Sequence, residues 1–243
     1  VADRRGTAGI VLAGAAVAVW LGVTHHDPGN LLASAEQLVE DLRPTTAQDT
    51  APASVHPVDV VAAEATLATL PVKGRAPKTG YSREQFGPAW ADVDHSGCDQ
   101  RNETLARGMT NLTFKPETHD CVVLTGTLAD PYTGTTIDFR RGQDTSSAVQ
   151  IDHRVPLANA WVTGAQQWDI GKREQFANDP LNLVAVDGPT NASKGDGDAA
   201  TWLPPNKAYR CEYVAAQVDV KAKYGLWVTQ AEHDAIARIL DRC

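Results

Sequence analysis

Two short apolar runs carry polar chemistry at their ends, and their order limits how the chain folds. Val149-Gln150-Ile151-Asp152-His153 predicts a strand that delivers an acidic residue and a histidine at its end. Leu181-Asn182-Leu183-Val184-Ala185-Val186 predicts an answering strand, Asp187-Gly188-Pro189 turns the chain, and a helix is expected from near Thr190. Strand, strand, helix is a compact way to gather Asp152, His153, Asn182, Asn191 and Lys194 around one point.

The residue types suggest what that point could do. His153 can exchange a proton near neutral pH. Asp152 and Asn191 offer hard oxygen donors, which suit a magnesium-like cation better than a thiolate-loving one. Asn182 is expected to bridge the intervening loop and fix where His153 points, while Lys194 is a candidate phosphate contact. Asn191 also falls where helix caps are common. Arg140, Arg141 and Arg154 flank the same strands and could add local positive charge. His25, His26, His56, His119 and His233 have no such context; Asp92-Val93-Asp94-His95 could line a cleft or bind a cation.

The N-terminal part predicts export. Arg4 and Arg5 precede an apolar run from Ala8 to Val23, as in secretion signals. The run is at the short edge of a membrane span, so residues 1–35 read as a signal or a short anchor, a potential membrane tether. A helix over 30–43 and a Pro/Thr/Ala linker over 44–54 follow. A second helix from Val58 to Leu70 ends at Pro71, giving a helical and linker segment over 36–71 and a main domain over 72–243.

Cys98, Cys121, Cys211 and Cys243 all follow the export segment, and an even count in an exported chain predicts disulfides. Of three pairings, Cys98–Cys121 and Cys211–Cys243 are preferred because each is local. Within the main domain, strands at 121–126 and 135–139 flank the turn Asp130-Pro131-Tyr132-Thr133-Gly134, a hairpin. A helix from Lys207 to Tyr224 stops at Gly225, and another opens with the capping box Thr229-Gln230-Ala231-Glu232. The net charge of -8 opposes a tight, processive nucleic-acid binder but not a locally basic site.

Asp152-His153-Arg154-Val155-Pro156, Asn182-Leu183-Val184-Ala185-Val186 and Asn191-Ala192-Ser193-Lys194-Gly195 resemble the HNH endonucleases of the ββα-metal, or His-Me finger, superfamily. Segments such as Phe86-Gly87-Pro88-Ala89-Trp90, Asp130-Pro131-Tyr132-Thr133-Gly134 and Trp202-Leu203-Pro204-Pro205-Asn206 resemble a narrower group, exported actinobacterial proteins akin to the C-terminal nuclease domain of GmrSD-type restriction enzymes. The resemblance implies an α+β fold: a ββα-metal core with an N-terminal hairpin region and C-terminal helices, braced by two disulfides.

By the same resemblance, the chain would be a secreted metal-dependent endonuclease cutting DNA, or RNA, with little sequence specificity. His153 would be the general base, with Asn182 and Lys194 assisting. Asp152 and Asn191 would hold Mg2+ or Mn2+, and Arg101, Arg140 and Arg154 would meet the substrate. Asp187 and Thr190 stand where many HNH domains carry a zinc knuckle, so no structural zinc is implied, nor any organic cofactor. The competing expectation is a catalytically silent module that binds nucleic acid or a cell-envelope partner.

Overall fold

A computed structural model describes residues 58–243. The predicted export segment, the helix over 30–43 and the linker lie outside the described residues. Among the described residues no helix is long and apolar enough to cross a membrane.

Helix α1, Val60–Thr69, starts where Asp59 Oδ1 accepts the Ala62 amide at 2.9 Å and stops ahead of Pro71. Its Ala63 and Leu67, with Leu70, enter one core with Tyr213, Val214, Ala235 and Ile236. Burying a leucine side chain contributes roughly 1.5–3 kcal/mol, so this short helix is held by packing. The partners come from α6, Arg210–Tyr224, and α7, Gln230–Leu240. Gly225 ends α6 with φ of 71°, a left-handed conformation that glycine adopts without strain. Cys211 and Cys243 are bonded and staple these two helices.

The expected capping box at α7 forms only in half. Thr229 Oγ1 accepts the Glu232 amide at 3.2 Å, but the Glu232 carboxylate turns inward to Lys221 Nζ, 2.8 Å away. Lys221 also donates to Asn159 Oδ1 and the Trp227 carbonyl, both at 3.1 Å. A buried ammonium takes precedence over a solvent-exposed cap because leaving it unpaired would cost several kcal/mol.

The middle of the chain is a helix and two small sheets. Helix α2 is Gln100–Gly108, capped by Asp99, and β1 is Met109–Phe114. The strands β2, Val123–Ala129, and β3, Thr136–Arg140, complete an antiparallel sheet in the order β1-β2-β3. The expected hairpin is the β2–β3 pair, with Leu128 opposite Ile137. Cys98 and Cys121 are bonded across the segments that lead into α2 and β2.

The second sheet pairs β4, Val149–His153, with β5, Leu183–Asp187, antiparallel. Between them run α3, Leu157–Val162, and α4, Ile170–Asn178. Leu105, Val123, Leu128, Phe139, Ile151 and Leu183 form the core that joins the two sheets to α2. Phe86, Trp161, Phe176, Val220 and Leu226 form another under the α3–α4 excursion. The whole is mixed α+β with two disulfides.

Candidate active site

The strand β5 runs straight into α5, Gly188–Lys194. The helix begins two residues earlier than expected, and its cap is Asp187, whose Oδ2 accepts the Thr190 amide at 2.8 Å; Pro189 occupies the first turn. Asn191 is therefore not a cap. It and Lys194 are three residues apart, share a helix face, and meet β4. Asn191 Nδ2 donates to Gln150 Oε1 at 2.9 Å. Lys194 Nζ donates to Asp152 Oδ2 and to the His153 carbonyl, both at 2.6 Å.

The close approach of the start of α5 to the 146–148 turn ahead of β4 depends on Gly188. A Cβ there would lie 2.0 Å from the Ser147 carbonyl oxygen.

His153 is buried, and its Nε2 lies 2.8 Å from the Ala177 carbonyl oxygen. A carbonyl can only accept, so Nε2 carries the proton and Nδ1 keeps its lone pair. Burial pushes the imidazole pKa down to about 4, against the pull of the Ala177 carbonyl and Asp152. The ring is therefore neutral at physiological pH. The Trp90 indole stacks on it, with centroids 6.2 Å apart and planes 12° from parallel.

Asn182 is fully buried and ties down the loop that follows His153. Its Oδ1 accepts the Val155 amide at 2.9 Å, and its Nδ2 donates to the Val155 carbonyl at 3.3 Å. Arg154 donates its backbone N–H to the Asn182 carbonyl at 2.8 Å and its Nη1 to the Leu181 carbonyl at 2.7 Å.

Two cavities open on His153. One, about 190 Å³, is lined by Tyr81, Arg83, Asp152, His153, Asn191 and Asp196. The other, about 200 Å³, has Arg83, Trp90, His153, Leu157 and Asn178 on its walls. Arg154 lines a different cavity beside Arg107 and Tyr209, while Arg101 on α2 and Arg140 on β3 line neither of the His153 cavities. Asp152, His153, Asn191 and Lys194 thus come together, with Asn182 behind them, and the three arginines named from sequence stand apart.

Three further residues, Tyr132, Arg83 and Trp90, belong to the site. The Tyr132 hydroxyl donates to Asp152 Oδ2, and both burial and that carboxylate hold its pKa well above the usual phenol range. Asp130 binds the Tyr132 turn to the end of β5 by accepting the Asp187 amide at 2.9 Å. The turn signal at 130–134 was visible in the sequence, but nothing local showed that its tyrosine would point at Asp152. Arg83 and Trp90 likewise lie far from β4 along the chain. Arg83 makes no ion pair with a described residue, whereas Lys78 and Arg75 are spent on Asp196 and Asp198 at 2.7 Å and 2.6 Å.

Among the described residues, no three His, Cys, Asp or Glu side chains close on one point as a ready metal cage. The donor set nevertheless fits a hard cation. Asp152 commits Oδ2 to Tyr132 and Lys194, and Asn191 commits its amide nitrogen to Gln150. One oxygen of each, Oδ1, has no partner among the described residues, and both side chains line the same cavity. Burial lowers the Lys194 pKa against the opposing pull of Asp152.

Comparison with known proteins bears on this arrangement. Residues 99–239, more than half of the chain, match the family of GmrSD restriction endonucleases, C-terminal domain. An "Uncharacterized secreted protein" of the fungus Arthroderma benhamiae is 37% identical over 183 residues, covering 74% of this chain and 84% of its own. No solved structure matches. The matched span contains β4, β5 and α5 with every residue from Asp152 to Lys194, and the chain belongs to the GmrSD restriction endonuclease C-terminal domain family.

Proposed function

We propose that this chain is an exported, metal-dependent endonuclease that hydrolyses phosphodiester bonds on a ββα-metal, HNH-type core. The observation that carries the reading is His153: Nε2 is committed to the Ala177 carbonyl, and Nδ1 is left as a free base on a ring lining the cavity shared with Asp152 and Asn191. Membership of a restriction endonuclease family supports a nuclease. The charged and apolar N-terminal run, two disulfides and the secreted fungal relative support export.

In this reading His153 Nδ1 takes a proton from the attacking water. The pKa of about 4 keeps the base form fully populated at neutral pH. The Ala177 carbonyl and the Asp152 carboxylate favour the imidazolium that results. Trp90 packs on the ring, and Asn182 fixes the backbone two residues beyond it. Asp152 Oδ1 and Asn191 Oδ1 would hold Mg2+ or Mn2+, which supplies Lewis-acid stabilisation of the charge on the phosphoryl and departing oxygens. Lys194 orients Asp152, and Arg83 meets the substrate phosphate. No groove built to read base edges is part of this reading, so cleavage has little sequence preference.

The test is cleavage of plasmid DNA and a structured RNA by the purified protein with disulfides intact, in Mg2+, Mn2+ or EDTA. Metal-dependent cutting is expected, reduced on the order of 10²–10⁴-fold in His153→Ala. A folded protein that cuts neither substrate with any divalent cation would overturn the reading.

A further inference from the structure

The loop between Trp90 and α2 carries a second order of donors, apart from the His153 site. Asp92, Asp94, Ser96, Gly97 and Glu103 stand at positions 1, 3, 5, 6 and 12 of a twelve-residue stretch, Asp92 to Glu103. That is the order in which an EF-hand loop presents oxygen to Ca2+, with glycine for the sharp turn and a carboxylate at the end that can bind through both oxygens. Serine replaces the more common Asp or Asn at position 5 and still offers a hard oxygen. Position 7, Cys98, contributes through its backbone carbonyl in such loops.

The fold gives this stretch the turn and the exiting helix of a calcium loop. Gly97 turns with φ of 89°, and α2 begins at Gln100, so Glu103 lies in the first turn of the exiting helix. Asp92 accepts the Ser96 and Gly97 amides at 3.0 Å and 2.9 Å. Glu103 accepts from the Ser96 hydroxyl and from Gln100 Nε2, the latter at 2.6 Å.

An independent observation comes from Gln100, position 9. Its side chain is 0% exposed, yet its Oε1 has no hydrogen-bond partner, while its Nε2 touches Glu103. A buried orphan oxygen beside a carboxylate calls for a water or a cation. Position 9 is where these loops ligate directly or through water.

We propose that residues 92–103 form a Ca2+ site. Asp92, Asp94, Ser96, the Cys98 carbonyl and Glu103 would be its ligands, with Gln100 contributing at position 9. The carboxylates do not yet converge on one point, so binding exchanges the Ser96 and Gln100 contacts of Glu103 for the cation. The seven-oxygen set with a two-oxygen glutamate favours Ca2+ over the smaller, strictly octahedral Mg2+. Trp90 lies two residues before Asp92 and stacks on His153, and Cys98 is bonded to Cys121. A cation here would therefore brace the segment that covers the candidate base.

The experiment is titration of the intact protein with Ca2+ by calorimetry, and with Tb3+ read by luminescence sensitised through Trp90. Saturable Ca2+ binding is expected with Kd on the order of 0.1–1 mM, the range of extracellular modules, with Mg2+ failing to compete at equal concentration. Glu103→Gln and Asp94→Asn should each weaken it about tenfold or more, and Asp152→Asn should leave it unchanged. Asp94 is exposed, so that variant decides if Glu103→Gln fails to fold. No binding up to about 10 mM, binding unchanged in Asp94→Asn, or binding lost only in Asp152→Asn would overturn the proposal. None of these readings depends on whether the protein cuts nucleic acid.

Discussion

Lys194 Nζ lies 2.6 Å from Asp152 Oδ2, and both side chains are withdrawn from solvent, at 0% and 7% exposure. The pair sits under the candidate cavity as a fixed ammonium and carboxylate. Removing one partner leaves the other charge buried. Lys194→Ala is expected to destabilise the fold by about 3–5 kcal/mol in EDTA, measured by urea unfolding. A divalent cation should restore part of that loss by supplying charge at Asp152. A loss under 1 kcal/mol would show that Asp152 finds water instead.

His153 should tie stability to pH. Its pKa is about 4 in the fold and 6.5 in the unfolded chain, so the unfolded state binds more protons between these values. Stability therefore falls as pH drops from 6.5 toward 4, by about 3 kcal/mol in total from this residue. In EDTA, His153→Gln should flatten that part of the stability–pH curve. An unchanged slope would place the acid sensitivity elsewhere.

Gly188→Ala tests how tightly α5 is seated. The added methyl meets the Ser147 carbonyl at 2.0 Å, a backbone contact that cannot swing away. Destabilisation of about 1–3 kcal/mol is expected, with Asn191 and Lys194 shifted from β4. Wild-type stability in a thermal melt would mean the 146–148 turn yields easily.

Arg83 is exposed and lines both His153 cavities, so its loss should spare folding. If it meets a phosphate, Arg83→Ala lowers kcat/KM and reduces the salt dependence of cleavage by about one unit in the log–log slope. Equal kinetics and an unchanged slope would remove it from the substrate path.

Much of this architecture was legible in the chain because the signals are local. The β4 bounds follow from Val149 to His153, the β2–β3 hairpin from its turn residues, and both disulfides from cysteine proximity in sequence. Helices α2, α3 and α4 were not anticipated. The α3 sequence, Leu-Ala-Asn-Ala-Trp-Val, is buried at every position and so lacks the polar face that marks a helix. Strand β1 follows Gly108 directly and alternates only weakly. At the site, Asp152, His153, Asn191 and Lys194 could be named because they fall on one strand–strand–helix unit. Tyr132, Arg83 and Trp90 reach it only through tertiary packing, which no window of sequence displays.

Val155 and Asn182 exchange hydrogen bonds through backbone and amide, 2.9 Å one way and 3.3 Å the other. They close the neck of everything between β4 and β5, including α3 and α4. The geometry of the two strand ends is thus set at the neck and not by the length of the excursion beyond it. Insertions at the exposed turn around Gln167 should be tolerated wherever Trp161 and Phe176 keep their core and the Ala177 carbonyl still reaches His153. The spacing between the two halves of this motif is accordingly a poor guide to kinship among such chains, and the asparagine at the neck a better one.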